Sequence, residues 1–561
     1  MEDRPWIANY DKGVPEHIDY PVVPLYYFLE ESARKYPNAP CTIFKGARIS
    51  FREMNEITDQ LAAGLVELGV KKGDRVGVFI PNTPQFVMAY YAILKTGAVV
   101  VATNPQYGPH EIIHQANDSG MEVMIVMSNF YNKVKDVQAK TKLRTLVVTN
   151  IKEALPPILS FLFSLTREKK GGFRVELAEG DVWMQDLINR HNPEDRPKIE
   201  IEPDDVAVFQ YSGGTTGVPK AAVATHRNLV ANTLQTRKWF VIAEDGNETV
   251  LMAIPLYHVY GMVAGMSLAM AISGSLIMVP DPRDVKDTLD NIQKYKPTLY
   301  PGVPALYNLL SNQPDVQAGK YDLSSIKACI SGSAPLLRET KENFEALTGG
   351  VVFEGYGLSE APTATHCNPL LGENRIGSIG MPLSDVDCRI ISLDDEVTVL
   401  PVGEIGELVI KGPQVMKGYH NMPTETANTL RDGWLYTGDI ARMDEDGYFY
   451  ITDRKKELIK PGGFQVWPRE VEEVIKAHPK VLDVGVAGVP DAKSGEAVKA
   501  WIVLKPGETA NAEEIREFCK EQMASYKAPK HVEFVNELPK TPVGKLLRRE
   551  LVRMHQESVG A

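Results

Sequence analysis

Apolar positions along the chain recur with two periods, and the two alternate. In residues 50–69 the period is helical. Ser50-Phe-Arg-Glu53 forms a capping box, Met54, Ile57, Leu61, Leu65 and Leu68 then fall at helical spacing, and Gly69 closes the helix. Val76–Ile80 reads as a buried strand, Gln85–Lys95 as a helix and Val99–Ala102 as a second strand. This alternation predicts a mostly parallel sheet covered by helices. The same rhythm returns over residues 206–310 and 326–360. From about 376 to 450 it gives way to short strands rich in Gly, Asp and Pro, which predicts a small β subdomain. Beyond Asp453-Arg454-Lys455-Lys456 the texture changes again. Pro468 opens a helix with Val471, Val474 and Ile475 on one face, Val481–Val489 and Val498–Leu504 read as strands, and Ile515, Phe518 and Cys519 mark a further helix. The predicted fold class is α/β. It has a large N-terminal domain of helix-covered, mostly parallel sheets with a β subdomain, and a small α+β C-terminal domain.

Two apolar stretches need separate treatment. Leu251–Pro280 carries no charged residue apart from His258, which is long enough to imitate a membrane span, but Pro255, Gly261, Gly265, Ser273, Gly274 and Ser275 interrupt it. It reads as strand, loop, buried helix and strand. Leu155–Leu165, LPPILSFLFSL, is followed by Arg167, Lys169 and Lys170. At ~1.5 Å per residue so short a helix cannot cross a core of roughly 30 Å. Two readings stand open: a core helix, or an interfacial segment with its basic end on anionic headgroups.

Composition narrows the function classes. A chain of 561 residues predicts two to four domains, and its net charge of −12 argues against broad nucleic-acid binding. The five cysteines (Cys41, Cys329, Cys367, Cys388, Cys519) form no CxxC pair, so no metal site is predicted and a reducing, cytoplasmic setting is expected. The polar start MEDRPWIANYDKG has no apolar core of a secretory signal.

Residues 211–222, YSGGTTGVPKAA, follow the apolar run Val206–Gln210. Glycines permit close backbone approach, successive N–H groups form an anion nest, and Lys220 adds charge. The Walker pattern fails here. Val218 stands where its second glycine is needed, Pro219 precedes the lysine and Ala221 follows it. Three further polar segments are predicted as loops at strand ends: Ser331–Pro335, Glu354–Glu360 and Tyr436–Asp439. Loops at several carboxyl ends of a doubly wound sheet can converge on one ligand.

YSGGTTGVPK, GYGLSE, TGD, DRKKELIK and PKTPVGKLLRR, in this order, resemble the motifs of the adenylate-forming enzymes: acyl- and aryl-CoA synthetases, firefly luciferase and peptide-synthetase adenylation domains. The resemblance spans the chain. Ala221 departs from it, since glycine is usual there. PLYYFLEESARKYP, the 155–165 stretch and GFQVWPREVEEV are most similar to long-chain fatty-acid–CoA ligases of the bacterial type. The resemblance implies two half-reactions, with ATP and coenzyme A as co-substrates, Mg²⁺ as cofactor and a fatty acid as the activated acid. Ser212, Gly213, Gly214, Thr215, Thr216, Gly217 and Lys220 would hold the β- and γ-phosphates, and Thr215 and Glu360 the metal. Gly332, Ser333 and Ala334 would line adenine, with Tyr356 stacked on it. Glu354, Gly355, Gly357 and Ser359 belong to the same nucleotide motif. Asp439 would accept from the ribose hydroxyls, aided by Arg454. Lys545 would reach the carboxylate and α-phosphate, and His258 would stand beside the carboxylate; with Lys220 these two form the implied catalytic set. The implied domains are 1–453, a hinge at 454–456 with Lys456 as pivot, and a mobile lid at 457–561. Lys460, Gly462 and Gly463 would line the coenzyme A path.

Taken singly, each residue also has an ordinary reading: Asp439 as a turn former, Lys545 as a solvated charge, His258 as a satisfied core histidine, Tyr356 as packing. Alternatives within the resemblance are a medium-chain or aryl (coumarate-type) acid, or delivery of the acyl-AMP to a carrier protein. From another class, a non-catalytic acyl- or nucleotide-binding relative would show a damaged site. Peripheral membrane contact through 155–170 is an expectation, and monomer or homodimer stays open.

Overall fold

The computed structural model describes residues 4–212, 219–461, 466–491, 494–541 and 545–559. Helix formation follows the local signals. The helix Phe51–Glu67 starts on the Ser50–Glu53 capping box, with Ser50 Oγ accepting from Glu53 N and Glu53 accepting from Ser50 N. The next elements are the strand Arg75–Phe79, the helix Pro84–Lys95 and the strand Val99–Ala102. Every residue of that helix is buried, because one side faces the sheet and the other faces the helix Phe51–Glu67.

These strands sit in an eight-stranded sheet. Its order is Gly418–Tyr419, Lys220–Thr225, Val206–Ser212, Val99–Ala102, Arg75–Phe79, Val123–Met127, Thr145–Thr149 and Val182–Trp183. From Val206–Ser212 onward neighbours are parallel; the first three strands pair antiparallel. The chain therefore returns from residue 212 as a β-hairpin, with Ser212 opposite Lys220, where a P-loop would enter a helix.

A second parallel group orders Thr249–Met252, Ser275–Met278 and Pro40–Phe44, with Ala47–Ser50 antiparallel at its edge. Isolated bridges at Leu299 link Val250 to Ala328, and so connect this group to the strand Ala328–Ser331. Between Thr249–Met252 and Ser275–Met278 lies the buried π-helix Tyr260–Ser267, continued by the short helix Leu268–Ala271. The apolar stretch 251–280 is thus interior protein.

The strand Val351–Leu358 corrects one expectation. Residues 354–358 are strand where a loop is predicted. Val351–Glu354 pair in parallel with Ala328–Ser331, and Gly355–Leu358 then pair antiparallel with Ala361–Cys367. The switch needs Gly357. A Cβ there would lie 1.4 Å from the carbonyl oxygen of Thr363. Tyr436–Asp439 is likewise strand, within Trp434–Met443, the central member of a five-stranded antiparallel sheet. Its other members are Asp387–Ile391, Gly406–Lys411, Leu430–Arg431 and Phe449–Arg454. Residues 418–419 leave this subdomain to join the eight-stranded sheet.

From Ile459 onward the apolar side chains form cores of their own, around Val471, Ile475, Val486, Trp501 and Ile502. The strands here are Val481–Asp491, Gly495–Leu504 and His531–Phe534, flanked by helices Pro468–Lys476, Ala512–Gln522 and Arg548–Val559. The reading of 155–165 as a core helix is overturned. The helix Pro157–Thr166 buries none of its residues. Among the described residues no helix is long and apolar enough to cross a membrane.

Two buried histidines couple the fold to pH. Burial lowers His226 to about 4 and His366 to about 3, from an ordinary 6.5. Each takes up a proton on unfolding in the window between its folded value and 6.5, so stability is full above that window and falls as pH drops through it. The buried Glu354 acts in the opposite direction, so we expect the fall in unfolding free energy from pH 6.5 to 4, read from urea midpoints, to be smaller in His226→Gln than in the parent by about 2 kcal/mol. Equal pH dependence in the two proteins would contradict the neutral, buried state of that ring.

Candidate active site

The site assembles on the carboxyl ends of the parallel strands. Asp439 is its most constrained member. The strand pairing sets Asp439 opposite Arg454, whose Nε lies 2.8 Å from Asp439 Oδ1. Tyr356 Oη donates to Asp439 Oδ2 at 2.5 Å. Both carboxylate oxygens are thus engaged on a residue only 2 % exposed. Burial and then Asp439 push the Tyr356 hydroxyl well above its ordinary range, so it stays a donor. His366, edge-on to Tyr356 at 5.8 Å, supports the ring from behind.

Lys545 reaches this cluster from the C-terminal unit. A bridge between Lys540 and Leu546 and bonds between Thr541 and the Lys545 backbone make its hairpin. Its side chain stands in a cleft crowded by protein yet still open to solvent. That crowding, followed by the nearby Arg454, lowers its pKa, while Asp439 and Glu457 oppose the shift.

His258 lies within electrostatic reach of Lys545. Burial lowers it to about 4, and the charge of Lys545 contributes in the same direction. The ring is therefore neutral near pH 7. Its Nδ1 accepts from Tyr260 N at 3.2 Å, which leaves the proton on Nε2. Tyr260 in turn donates to the carbonyls of Gly302 and Ile330, at 2.9 and 2.6 Å, at the start of the Ser331–Pro335 loop. A Cβ at Gly332 would lie 3.3 Å from the Tyr260 ring, so the glycine sets the loop flat against it. Ser333 adopts φ +67°, and with Ala334 it lies toward solvent.

A second cluster centres on Glu360 and Lys220. Tyr419 Oη donates to Glu360 at 2.8 Å, and the Lys220 ammonium sits 5.4 Å from the Tyr419 ring centre. Lys220 also forms an ion pair with Glu425, in the helix Pro423–Thr429. Tyr419 and Glu425 went unrecognised in the sequence. Their signal is the 418–419 strand pairing onto 222–223, about two hundred residues away, which no local pattern records. Arg454 feels the charge of Glu360, so the two clusters belong to one site.

The remaining predicted residues are placed as follows. Gly355 and Gly357 lie on the strand beside Tyr356, and Ser359 begins the turn to Glu360. Glu354 is buried, accepts from Leu336 N and has Oε2 without a partner among the described residues; burial pushes it up to about 8. Lys456 is exposed at the start of the C-terminal unit, and Lys460 is exposed with its N–H on Glu496 at 2.7 Å. Gly213, Gly214, Thr215, Thr216, Gly217, Gly462 and Gly463 lie outside the described residues, as does the side chain of Ser212. Among the described residues no cluster of three or more His, Cys, Asp or Glu could hold a metal. A cavity of about 570 Å³ lies at the opposite, amino ends of the strands, and its Lys72 and Arg75 are already engaged by Asp205 and by backbone carbonyls.

Family comparison decides the class. The model of the AMP-binding enzyme matches residues 29–420, and that of the AMP-binding enzyme C-terminal domain matches residues 470–545. The chain belongs to the AMP-binding enzyme family. A long-chain-fatty-acid–CoA ligase of Bacillus subtilis (strain 168) is 42 % identical over 559 residues, covering 100 % of this chain and 99 % of that protein. ATP-bound MatB from Rhodopseudomonas palustris superposes with a TM-score of 0.82 at 28 % identity, covering 95 % of this chain and 99 % of that one. The apo form of the same protein, with like coverage and identity, gives 0.72. In this AMP-binding enzyme Tyr356, Asp439 and Arg454, from three of the sequence motifs, are in direct contact.

The Lys220–Glu425 pair generates a prediction. Glu425 occupies the lysine that the motif resemblance assigns to a nucleotide phosphate, and the pair is partly open to solvent, so its loss should have a modest effect. Glu425→Gln should lower the apparent KM for MgATP about two- to fivefold, with kcat within a factor of about two. A raised KM in steady-state assays would mean that Glu425 positions the lysine productively.

Proposed function

We propose that this AMP-binding enzyme activates a long-chain fatty acid to its CoA thioester through an acyl-AMP intermediate, releasing AMP and pyrophosphate. The observation that carries the reading is the approach of Lys545, from the C-terminal unit, to Asp439, Arg454 and His258 of the N-terminal unit. Full-length likeness to the B. subtilis ligase supports the long-chain acid over aryl or shorter ones.

In the first half-reaction a carboxylate oxygen bonds to the α-phosphorus of ATP, and the bond to the bridging oxygen of pyrophosphate breaks. The nucleophile is already ionised near pH 7, so no general base is needed. The obstacle is bringing one anion to a polyanion, and the help is positional and electrostatic. Lys545 supplies positive charge at the carboxylate and α-phosphate. His258, neutral with its proton on Nε2, donates to the acid without adding charge. Lys220 and the 212–217 loop take the β- and γ-phosphates, the 332–334 loop and Tyr356 frame adenine, and Asp439 takes the ribose hydroxyls. Asp439 is held for that role by Arg454. Glu360 offers a hard carboxylate oxygen, and with Thr215 it would hold Mg²⁺. The ion, when bound, neutralises phosphate charge.

In the second half-reaction the thiolate of coenzyme A attacks the acyl carbonyl carbon and the bond to AMP breaks. We place the domains at 1–453 and 457–561, with 454–456 as hinge and Lys456 as pivot. Rotation there withdraws Lys545 and brings in Lys460, Gly462 and Gly463 along the coenzyme A path. The separate apolar cores beyond Ile459 support such a movement. The better superposition on ATP-bound than on apo MatB supports the present arrangement as the adenylating one. Peripheral membrane contact through 155–170 belongs to the same reading.

Release of AMP, dependent on coenzyme A, from fatty acids of graded length and one aromatic acid tests the substrate. The rate is expected to be highest with long chains; preference for the aromatic acid would overturn the assignment. Lys545→Ala should reduce acyl-AMP formation by about a hundredfold or more while sparing thioester formation from supplied acyl-AMP. Equal losses in both steps would remove Lys545 from an adenylation-specific role.

A further inference from the structure

The ladder between Gly406–Lys411 and Trp434–Met443 is interrupted beside Asp439. Glu407 pairs with Ile440, and Val409 pairs with Tyr436. Leu408 alone therefore stands opposite Thr437, Gly438 and Asp439, which form a bulge. Gly438 takes φ +70°, a left-handed conformation that glycine adopts without strain. At this bulge Asp439 meets Tyr356 and Arg454.

A bulge leaves backbone N–H groups without ladder partners, and in a protein interior other groups must satisfy them. Here side chains do so. Thr437 Oγ1 accepts from Asp439 N at 3.0 Å and donates to the Leu408 carbonyl at 2.7 Å. Glu407 Oε1 accepts from Gly438 N at 3.1 Å. Glu407 is only 3 % exposed, and a carboxylate so buried needs a cation. Lys455 provides it, with Nζ 2.8 Å from Glu407 Oε2 and 2.5 Å from Glu396 Oε1. Glu396 is held in turn by Arg431 at 2.8 Å. Consecutive residues thus grip Asp439 from two sides. Arg454 takes its carboxylate, and Lys455, through Glu407, takes the backbone that carries it.

We propose that Glu407 is a positioning residue for the nucleotide: it fixes the Thr437–Asp439 bulge so that the Asp439 carboxylate meets the ribose hydroxyls. Gly438 N and Lys455 occupy its two oxygens, so it acts through Asp439 and not on the ligand. Glu407 stands in GEIGELVIKG, well before TGD in the chain, and only strand register brings the two together. The inference rests on the ribose role proposed for Asp439, and the experiment separates the two.

The test compares, by calorimetry, binding of MgATP and of the Mg²⁺ complex of 2′,3′-dideoxyATP, with no acid or coenzyme A present. The parent is expected to prefer ATP by about tenfold or more, since the dideoxy sugar brings no donors to the buried carboxylate. Glu407→Asp keeps the charge for Lys455 but is one methylene too short for Gly438 N. It should cut the preference to about threefold or less by weakening ATP, with dideoxyATP changed by no more than about twofold. Glu407→Gln keeps an acceptor for Gly438 N and should retain most of the preference. In steady-state assays Glu407→Asp should raise KM for MgATP with kcat within a factor of about two. If Glu407→Asp lowers the thermal unfolding midpoint, Glu407→Leu/Lys455→Leu replaces it in the same comparison, because it removes the acceptor and leaves no buried charge unpaired. Equal losses for the two nucleotides, an unchanged preference in Glu407→Asp, or a greater loss in Glu407→Gln than in Glu407→Asp would each overturn the proposal. A parent that binds both nucleotides alike would remove Asp439 from the ribose, and Glu407 with it.

Discussion

The carboxylate of Asp439 is the point on which the site depends. It comes from the central strand of the five-stranded sheet, Tyr356 comes from a strand that bridges two other sheets, and Arg454 ends the last strand before the C-terminal unit. One buried anion therefore ties together three parts of the chain that acquire their shape separately. Burying it is tolerable only because a cation and a hydroxyl satisfy both oxygens. The same contacts fix the Tyr356 hydroxyl and hold Arg454 at the end of the five-stranded sheet. Positioning for chemistry and coherence of the fold are here one set of bonds.

Around that anion cations and acids are interleaved: Arg454, Lys545, Lys456 and Lys220 stand among Asp439, Glu360, Glu457 and Glu425. Burial first, and then the charge of Arg454, lowers the pKa values of Lys545 and Lys456. A ligand carrying several negative charges would favour their charged forms. Glu425 already pairs with Lys220 within the chain itself. The neutral state of His258 fits this pattern, since burial and Lys545 both act against a further positive charge.

Local signals in the sequence were reliable where the physics is local. The capping box at Ser50, the helix after Pro468 and the strand Val99–Ala102 form where their own residues direct. Residues 354–358 and 436–439 misled because Gly, Asp and Thr are turn formers by composition, whereas strand partners from elsewhere supply their ladders. Lys545, Asp439, Tyr356 and Arg454 were legible as motif positions, yet their meeting was not, because it depends on register and on how the two units face each other. The exposed stripe at 158–165 marks a different limit. Periodicity reveals that a helix has an apolar face but not which way that face is turned.

The ladder of the Val206–Thr225 hairpin sets the position of Lys220 independently of residues 213–218. Both of its stems are strands in fixed register, anchored at Ser212 and Lys220, and Lys220 belongs to the stem. A loop that opens a helix cannot change length without rotating that helix. A loop that closes a hairpin can, because the ladder beneath it is untouched. The length and composition of the segment are bound by what it must hold and not by the ladder, while the lysine stays where the sheet puts it.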